Sequence, residues 1–244
     1  MGRAATTCPD AGWRVVLLAA IMALSCATAS WSLTAVPAET GSAIAHFGMI
    51  QHGTRACASC HGANGEGDLD QHGPRLAGQN AEYLERQLRA FRDGRRHSVV
   101  MQSVARTLTD DQRAAVATYY ASLPAVTDAR DRKPYALTLG RTVAGQGDWS
   151  RKVPPCASCH GVDGLGVGAS FPPLAGQRAD YIERQLMRFR WNERRDDPQG
   201  LMRGIAGRLS TGEIRAVAAY YATLSPRAAP AATRPVPARR PPGG

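Results

Sequence analysis

Past His160 the chain contains neither histidine nor lysine. Any metal in its second half must therefore draw on one histidine, methionine, cysteine or carboxylates. Cysteine is nearly as restricted: six are present, and only Cys8 and Cys26 stand outside a repeated six-residue string. Both fall in an N-terminal stretch that reads as a leader, so its removal leaves no thiol for a structural disulfide. A long apolar run is also missing there. Val15–Ala23 is flanked by Arg3 and Arg14 and followed by Ala27-Thr28-Ala29, and it falls short of the roughly 18 residues that a spanning helix needs. This pattern predicts a secretory signal peptide over 1–29, with a boundary as late as 38; a retained signal anchor is the alternative. Ala23-Leu24-Ser25-Cys26 matches a lipid-attachment signal poorly. The alternation of a β-strand is hard to find. Glycine-rich stretches such as 62–67 lack P-loop spacing, and nothing points to nucleic acid as a partner.

What is present is a duplication. Cys57-Ala58-Ser59-Cys60-His61-Gly62 returns 99 positions later as Cys156-Ala157-Ser158-Cys159-His160-Gly161. Leu76-Ala77-Gly78-Gln79 returns 98 positions later at 174–177, and Tyr83, Gln87, Leu88 and Phe91 are matched by Tyr181, Gln185, Leu186 and Phe189. Farther on the offset is 101: Met101, Ala105, Leu108 and Tyr119-Tyr120 match Met202, Ala206, Leu209 and Tyr220-Tyr221. Self-similarity of this kind means two copies of one folding unit. The expected organisation is a first domain at 39–125, a linker at 126–135, a second domain at 136–224 and a Pro/Arg-rich, disordered tail at 225–244. Units of about 85 residues are small for an apolar core alone, so a large apolar group at the centre of each would contribute.

The periodicity is helical in both units, giving an all-α fold. Asn80 caps an expected helix through Tyr83 and Phe91 that ends near Gly94, and 181–189 repeats it. Thr109-x-x-Gln112 and Ser210-x-x-Glu213 read as capping boxes that open helices ending in the tyrosine pairs. Thr40–Arg55 and Leu137–Gly147 are expected to be helical. The arginines of 86–96 and 184–195 read as solvated helix faces, although some could pair with haem propionates. The tyrosine pairs read as packing residues, with a bond across a domain interface as the weaker alternative.

In C-x-x-C-H, two cysteines on one turn can form thioethers with one haem while the next residue offers imidazole to the iron. A zinc site would want a further ligand, and the second unit has no other cysteine or histidine. A thioredoxin-like pair would need a βαβ setting. The expectation is two covalently bound haem c groups, held by Cys57 and Cys60, and by Cys156 and Cys159, with His61 and His160 as proximal ligands. For the sixth position the second unit offers Met187, Met202 or an open coordination site. Met187 is matched by Arg89, which cannot ligate iron, whereas Met202 is matched by Met101. Met101 and Met202 are thus the expected ligands, in loops 40 and 42 residues after the histidines. His72 and His97 lack counterparts and read as surface residues. His/Met ligation raises the reduction potential and leaves no open site, which suits one-electron transfer rather than catalysis at the iron.

The formal charge is +10. Residues 39–125 carry nine basic and nine acidic side chains, whereas 136–224 carry twelve against eight. The second unit is therefore expected to dock an acidic surface on a redox partner. CASCHG, then P-x-L-A-G-Q, Y-x-x-x-Q-L-x-x-F and a later Met, all in tandem over about 39–224, resembles the dihaem class I cytochromes c of the cytochrome c4 type. The resemblance implies two cytochrome c domains about a pseudo-twofold axis with their haem propionate edges close together. It also implies a periplasmic electron carrier of a respiratory chain, soluble or peripherally membrane-associated, between a donor such as a quinol-oxidising complex and a terminal oxidase. A cytochrome subunit of a larger periplasmic oxidoreductase is the alternative reading, and a dihaem peroxidase a more remote one. The tail departs from the usual pattern of that family.

Overall fold

The computed structural model describes residues 38–49, 53–68, 70–125 and 134–226, all within one compact unit, Ala35–Gly244. The expected leader, most of the expected linker and nearly all of the tail lie outside the described residues. Among the described residues ten α-helices come in two runs of five. The first is α1 (Ala38–Phe47), α2 (Ala58–His61), α3 (Ala81–Arg92), α4 (Val99–Thr107) and α5 (Asp110–Ser122). The second is α6 (Pro134–Gln146), α7 (Ala157–His160), α8 (Ala179–Arg190), α9 (Leu201–Ala206) and α10 (Thr211–Thr223). Among the described residues β-structure is confined to isolated bridges, so the all-α expectation holds.

Local chemistry accounts for several helix starts. The Asn80 side chain accepts from the Tyr83 N–H at 2.9 Å and caps α3. Both capping boxes form in full, Thr109 with Gln112 on α5 and Ser210 with Glu213 on α10. Two boundaries differ from expectation. The helix expected across Thr40–Arg55 stops at Phe47, because Gly48 turns to φ +69° and the chain then closes the Met49–Thr54 bridge. Its counterpart stops the same way at Gly147, φ +68°, before the Asp148–Val153 bridge. And α6 begins at Pro134, inside the expected linker, since proline in a first helical turn gives up an N–H that has no intrahelical partner there.

Each run of helices closes its own core. Ile44, Leu84, Leu108, Val116 and Tyr120 form the first, and Val143, Ile182, Leu186, Ile214 and Tyr221 belong to the second. The long C-terminal helix of each half crosses its first helix at a glycine. A Cβ on Gly41 would lie 2.2 Å from the Ala115 carbonyl oxygen, and one on Gly140 would lie 2.1 Å from that of Ala216. Replacing Gly140 by alanine must push α6 off α10, which should cost about 1–3 kcal/mol as overpacking does. Calorimetry of the haem-loaded protein should show the lower Tm, and an unchanged Tm would mean that this crossing is not tight.

The two halves meet through contacts that come in reciprocal pairs. Gln79 Nε2 donates to the Pro173 carbonyl at 3.0 Å, and its counterpart Gln177 donates to the carbonyl of Arg75, the residue matching Pro173, at 2.9 Å. Arg86 donates to Ala169 O at 2.6 Å and its counterpart Arg184 to His72 O at 3.1 Å. At the centre, Arg96 and Arg194 form a backbone bridge. Each reaches glutamines of both halves: Arg96 donates to Gln87 and Gln185, Arg194 to Gln185 and Gln87, all between 2.7 and 3.0 Å. Reciprocity of this kind is what a pseudo-twofold axis between duplicated domains produces. It also corrects two readings. Arg96 and Arg194 are not solvated but 5% and 6% exposed. The tyrosines at the interface are Tyr83 and Tyr181, bonded to Arg194 and Arg96 at 3.4 and 2.6 Å, whereas Tyr120 and Tyr221 are buried in their own cores.

Candidate haem sites

The C-x-x-C-H strings fold as single helical turns. The Cys57 carbonyl accepts from the N–H groups of Cys60 and His61 at 3.2 and 3.0 Å, and the Cys156 carbonyl from those of Cys159 and His160 at 3.2 and 2.9 Å. Two thiols and an imidazole are thereby gathered on one short turn in each half. None of the four cysteines on these turns is paired in a disulfide, so all four are available for thioether bonds. Before such a bond forms, burial pushes the thiols of Cys57 and Cys156 up to about 11.

The histidines are oriented alike. Nδ1 of His61 lies 2.9 Å from the Pro74 carbonyl, and Nδ1 of His160 lies 2.9 Å from that of Pro172. A carbonyl can only accept, so each Nδ1 carries the proton and Nε2 presents its lone pair. Burial holds both imidazoles below their ordinary pKa, which favours the neutral, ligating form. This is the arrangement in which a backbone acceptor fixes the tautomer of a metal-binding histidine. The proline that opens each P-x-L-A-G-Q segment thus orients the imidazole, while the glutamine that closes it spans the interface.

Both turns open on one continuous cavity of about 1100 Å³, whose wall includes Cys57, Cys60, His61 and Met101 from the first half and Cys156, Cys159, His160 and Met202 from the second. That exceeds the roughly 300–1,000 Å³ of a single small-molecule site. Met101 and Met202 do not lie in loops as expected. They occupy the first turns of α4 and α9, the former started by Ser98, whose hydroxyl caps the Met101 N–H at 3.3 Å. Met187 packs against the second core from α8, and it is absent from the cavity wall. His97 is exposed, and His72 is too, with its ring 3.7 Å from Asp180.

The fit of a haem rests on more than shape. The hydroxyls of Tyr120 and Tyr221, Oε1 of Gln79 and Nε of Arg96 are buried without a hydrogen-bond partner among the described residues, and all four residues except Tyr120 and Tyr221 belong to the interface. All but Gln79 and the arginine are thus polar atoms within the domain cores, and each orphan would cost about 1–3 kcal/mol if nothing met it. Tyr120, Tyr221 and Arg96 line the cavity, so a group with an apolar body and carboxylate edges would fit the volume and offer acceptors to these buried donors.

Sequence reasoning found the ligand candidates and missed the arginine cluster around them. Arg75 is 1% exposed, with Nε on the Gly176 carbonyl at 3.2 Å, Nη2 on that of Ala175 at 2.8 Å and Nη1 on that of Ala77. Burial lowers its guanidinium to about 10, which leaves it charged at neutral pH. The 98-residue match of Arg96 with Arg194, beside that of Gln87 with Gln185, was the available signal for the rest.

The fold and these sites define a tandem c-type haem protein. The family model for cytochrome c matches residues 51–124 and 153–225, and the chain belongs to the cytochrome c family. It is 41% identical over 172 residues to cytochrome c4 of Thiocapsa roseopersicina, covering 69% of this chain and 87% of that one. Over 188 residues it is 43% identical to the thiosulfate dehydrogenase electron acceptor of Stutzerimonas stutzeri (strain A1501), covering 77% and 87%. Among solved structures, a thiosulfate dehydrogenase (TsdBA) from Marichromatium purpuratum superimposes with a TM-score of 0.74 at 43% identity over 78% of this chain; the match spans 40% of that one. Within the family this is a dihaem cytochrome of the c4 type, an electron-transfer protein with two covalently bound haem c groups.

Proposed function

We propose that this cytochrome takes electrons from a periplasmic dehydrogenase that oxidises a reduced sulfur compound of the thiosulfate class, and hands them singly to a respiratory acceptor such as a terminal oxidase. The observation that carries this reading is the 43% identity to a thiosulfate dehydrogenase electron acceptor over 188 residues, 77% of this chain. Haem supplies an iron that cycles between ferric and ferrous states. The chain's own residues would hold it: Cys57 and Cys60, with Cys156 and Cys159, would tether the two groups, His61 and His160 would offer Nε2 to the irons, and Met101 and Met202 would offer their thioethers. Pro74 and Pro172 hold the imidazole tautomers. Two domains locked by the arginine-glutamine interface allow a two-electron donor to discharge into one partner.

No helix among the described residues is long and apolar enough to cross a membrane. The leader pattern supports export to the periplasm, and the excess of basic side chains in the second domain supports docking on an acidic partner. The test mixes the oxidised, haem-loaded chain with a thiosulfate dehydrogenase and thiosulfate, and in parallel with a quinol-oxidising complex and quinol, in stopped-flow experiments. Reduction of both haems in the first mixture supports the proposal. Reduction in the second mixture alone would restore the general respiratory carrier between quinol oxidation and a terminal oxidase. Charge steering also predicts a fall of about tenfold or more in the bimolecular rate from low to physiological salt. A rate that ignores salt would remove the acidic docking partner.

A further inference from the structure

Duplication sorts the surface of this chain. A feature common to both halves serves what both contain, whereas a feature built on one half alone serves something that only that half meets. One face of the second domain is of the latter kind. It carries Trp149 and Trp191, 70% and 59% exposed. Both lie beside one segment. Arg151, on the same short turn as Trp149, donates to the Arg208 carbonyl at 3.0 Å, and Arg190, next to Trp191 at the end of α8, donates to that of Leu209 at 3.1 Å. The matching positions of the first half hold Ile50 and Asp93.

The charges differ with the tryptophans. In the first half Arg92 is paired with Asp93 at 2.7 Å and with Asp110 at 3.3 Å. In the second half Arg190 takes its place, and Trp191 and Thr211 stand where those carboxylates were. Lys152 and Arg208, both exposed, replace Gly53 and Thr107. Among the described residues Arg190, Lys152 and Arg208 have no carboxylate partner, whereas Arg151 is paired with Asp148 and Glu213. Two exposed indoles among unpaired cations have the composition of an interface centre, where tryptophan and arginine carry most of the binding energy.

Position narrows the partner. Pro154 and Pro155, which follow the Trp149 turn, and Leu209 belong to the wall of the haem cavity. A protein seated on this face would bring its own redox centre against that wall, which a lipid surface has no need to do. A brief electrostatic encounter suffices for one electron. A donor that releases two electrons from one oxidation must stay through both transfers, and buried tryptophan lengthens residence, since affinity is set chiefly by dissociation.

We propose that the Trp149–Trp191 face is the docking site of the electron-donating dehydrogenase, which meets it with an apolar surface rimmed by acidic side chains, so that electrons enter through the second domain. The inference rests on the donor proposed above.

The experiment is stopped-flow reduction of the oxidised, haem-loaded full chain by a thiosulfate dehydrogenase with thiosulfate, in parallel with ascorbate, which needs no docking. Trp149→Ala and Trp191→Asp, the latter copying the first half, should each raise the dehydrogenase concentration for half-maximal rate by about thirtyfold, as at an interface hot spot, with reduction by ascorbate unchanged. Lys152→Glu should slow association and weaken its dependence on salt. Both indoles are exposed, so the variants should keep the wild-type Tm. Equal reduction of wild type and both tryptophan variants overturns the docking face and leaves the donor standing. No reduction of wild type overturns the donor, and this face as its site with it. If reduction is unchanged while oxidation by a terminal oxidase slows, the face belongs to the acceptor; if binding to phosphatidylglycerol vesicles is lost instead, it belongs to a membrane, and in either case the proposal falls. A parallel slowing with ascorbate would report a disturbed haem site and count against it as well.

Discussion

Replacing Met202 by alanine lowers the reduction potential of the second haem by on the order of 0.1–0.4 V, inside the roughly 0.8 V range that axial ligands command, and leaves the first haem close to its wild-type value. The thioether is a soft ligand that favours ferrous iron, so its removal lets water or no ligand take the position and favours the ferric state. The effect stays local because Met202 lies on the cavity wall and packs against the second core, and that core shares no buried residue with the first. Spectroelectrochemical titration should resolve two one-electron steps, one of them moved to lower potential, together with loss of the Met–Fe charge-transfer absorption from one haem. Met101→Ala should do the same to the other step. If Met202→Ala moves neither step, the ligand assignment is wrong and Met187, on α8, becomes the next methionine to test. Alanine is small enough that α9 should retain its helical turn, and its helix propensity is favourable.

Repetition made most of this molecule readable before any coordinates. Residues that recur at a fixed offset, such as the cysteines, His61 with His160 and the capping boxes, turned out to do the same job in each half, because local chemistry acts over a few residues and the sequence contains all of its parts. The missed features are those where the acting partner is distant along the chain. Arg96 has helical spacing and looks solvated until Tyr181 and Gln185, in the other domain, surround it. Among the described residues Arg75 pairs with no carboxylate; it is buried on carbonyls, chiefly those of the opposite Leu-Ala-Gly-Gln loop. Placing Met101 and Met202 in loops failed for a local reason: Ser98 was not recognised as a helix cap, and α9 begins after Gly200 at φ +70° rather than at a polar cap. The tyrosine pairs do pack, with Tyr120 and Tyr221 in the two cores; the tyrosines that bond across the interface are Tyr83 and Tyr181, whose arginine partners lie in the opposite domain.

Arg194→Ala should destabilise the haem-loaded protein by about 3–5 kcal/mol at pH 7, the cost of stranding one member of a buried ion pair. Asp196 would lose both of its guanidinium bonds while its side chain stays 2% exposed. Gln87, Gln185 and Tyr83 would lose a donor at the same time. Burial alone pushes the Asp196 carboxyl up, but the Arg194 charge and its hydrogen bonds outweigh that and hold the carboxyl below its ordinary value. A depressed carboxyl contributes stability that is complete above its unfolded pKa, about 3.9, and is lost as pH falls through the folded value. In the variant burial is opposed chiefly by the more distant Arg96 charge, so the carboxyl rises and protonation relieves the penalty. The difference between wild type and variant should therefore be greatest near neutrality and shrink as pH falls toward 4. Chemical unfolding followed at the haem absorption at pH 7 and pH 4 reads this directly. Arg194→Ala combined with Asp196→Ala should recover much of the loss, because the stranded charge is gone. A loss below about 1 kcal/mol, the size of an exposed pair, equal at both pH values, would mean that the cluster opens to solvent. The two domains would then be joined mainly by Arg75 and the Gln79–Gln177 exchange.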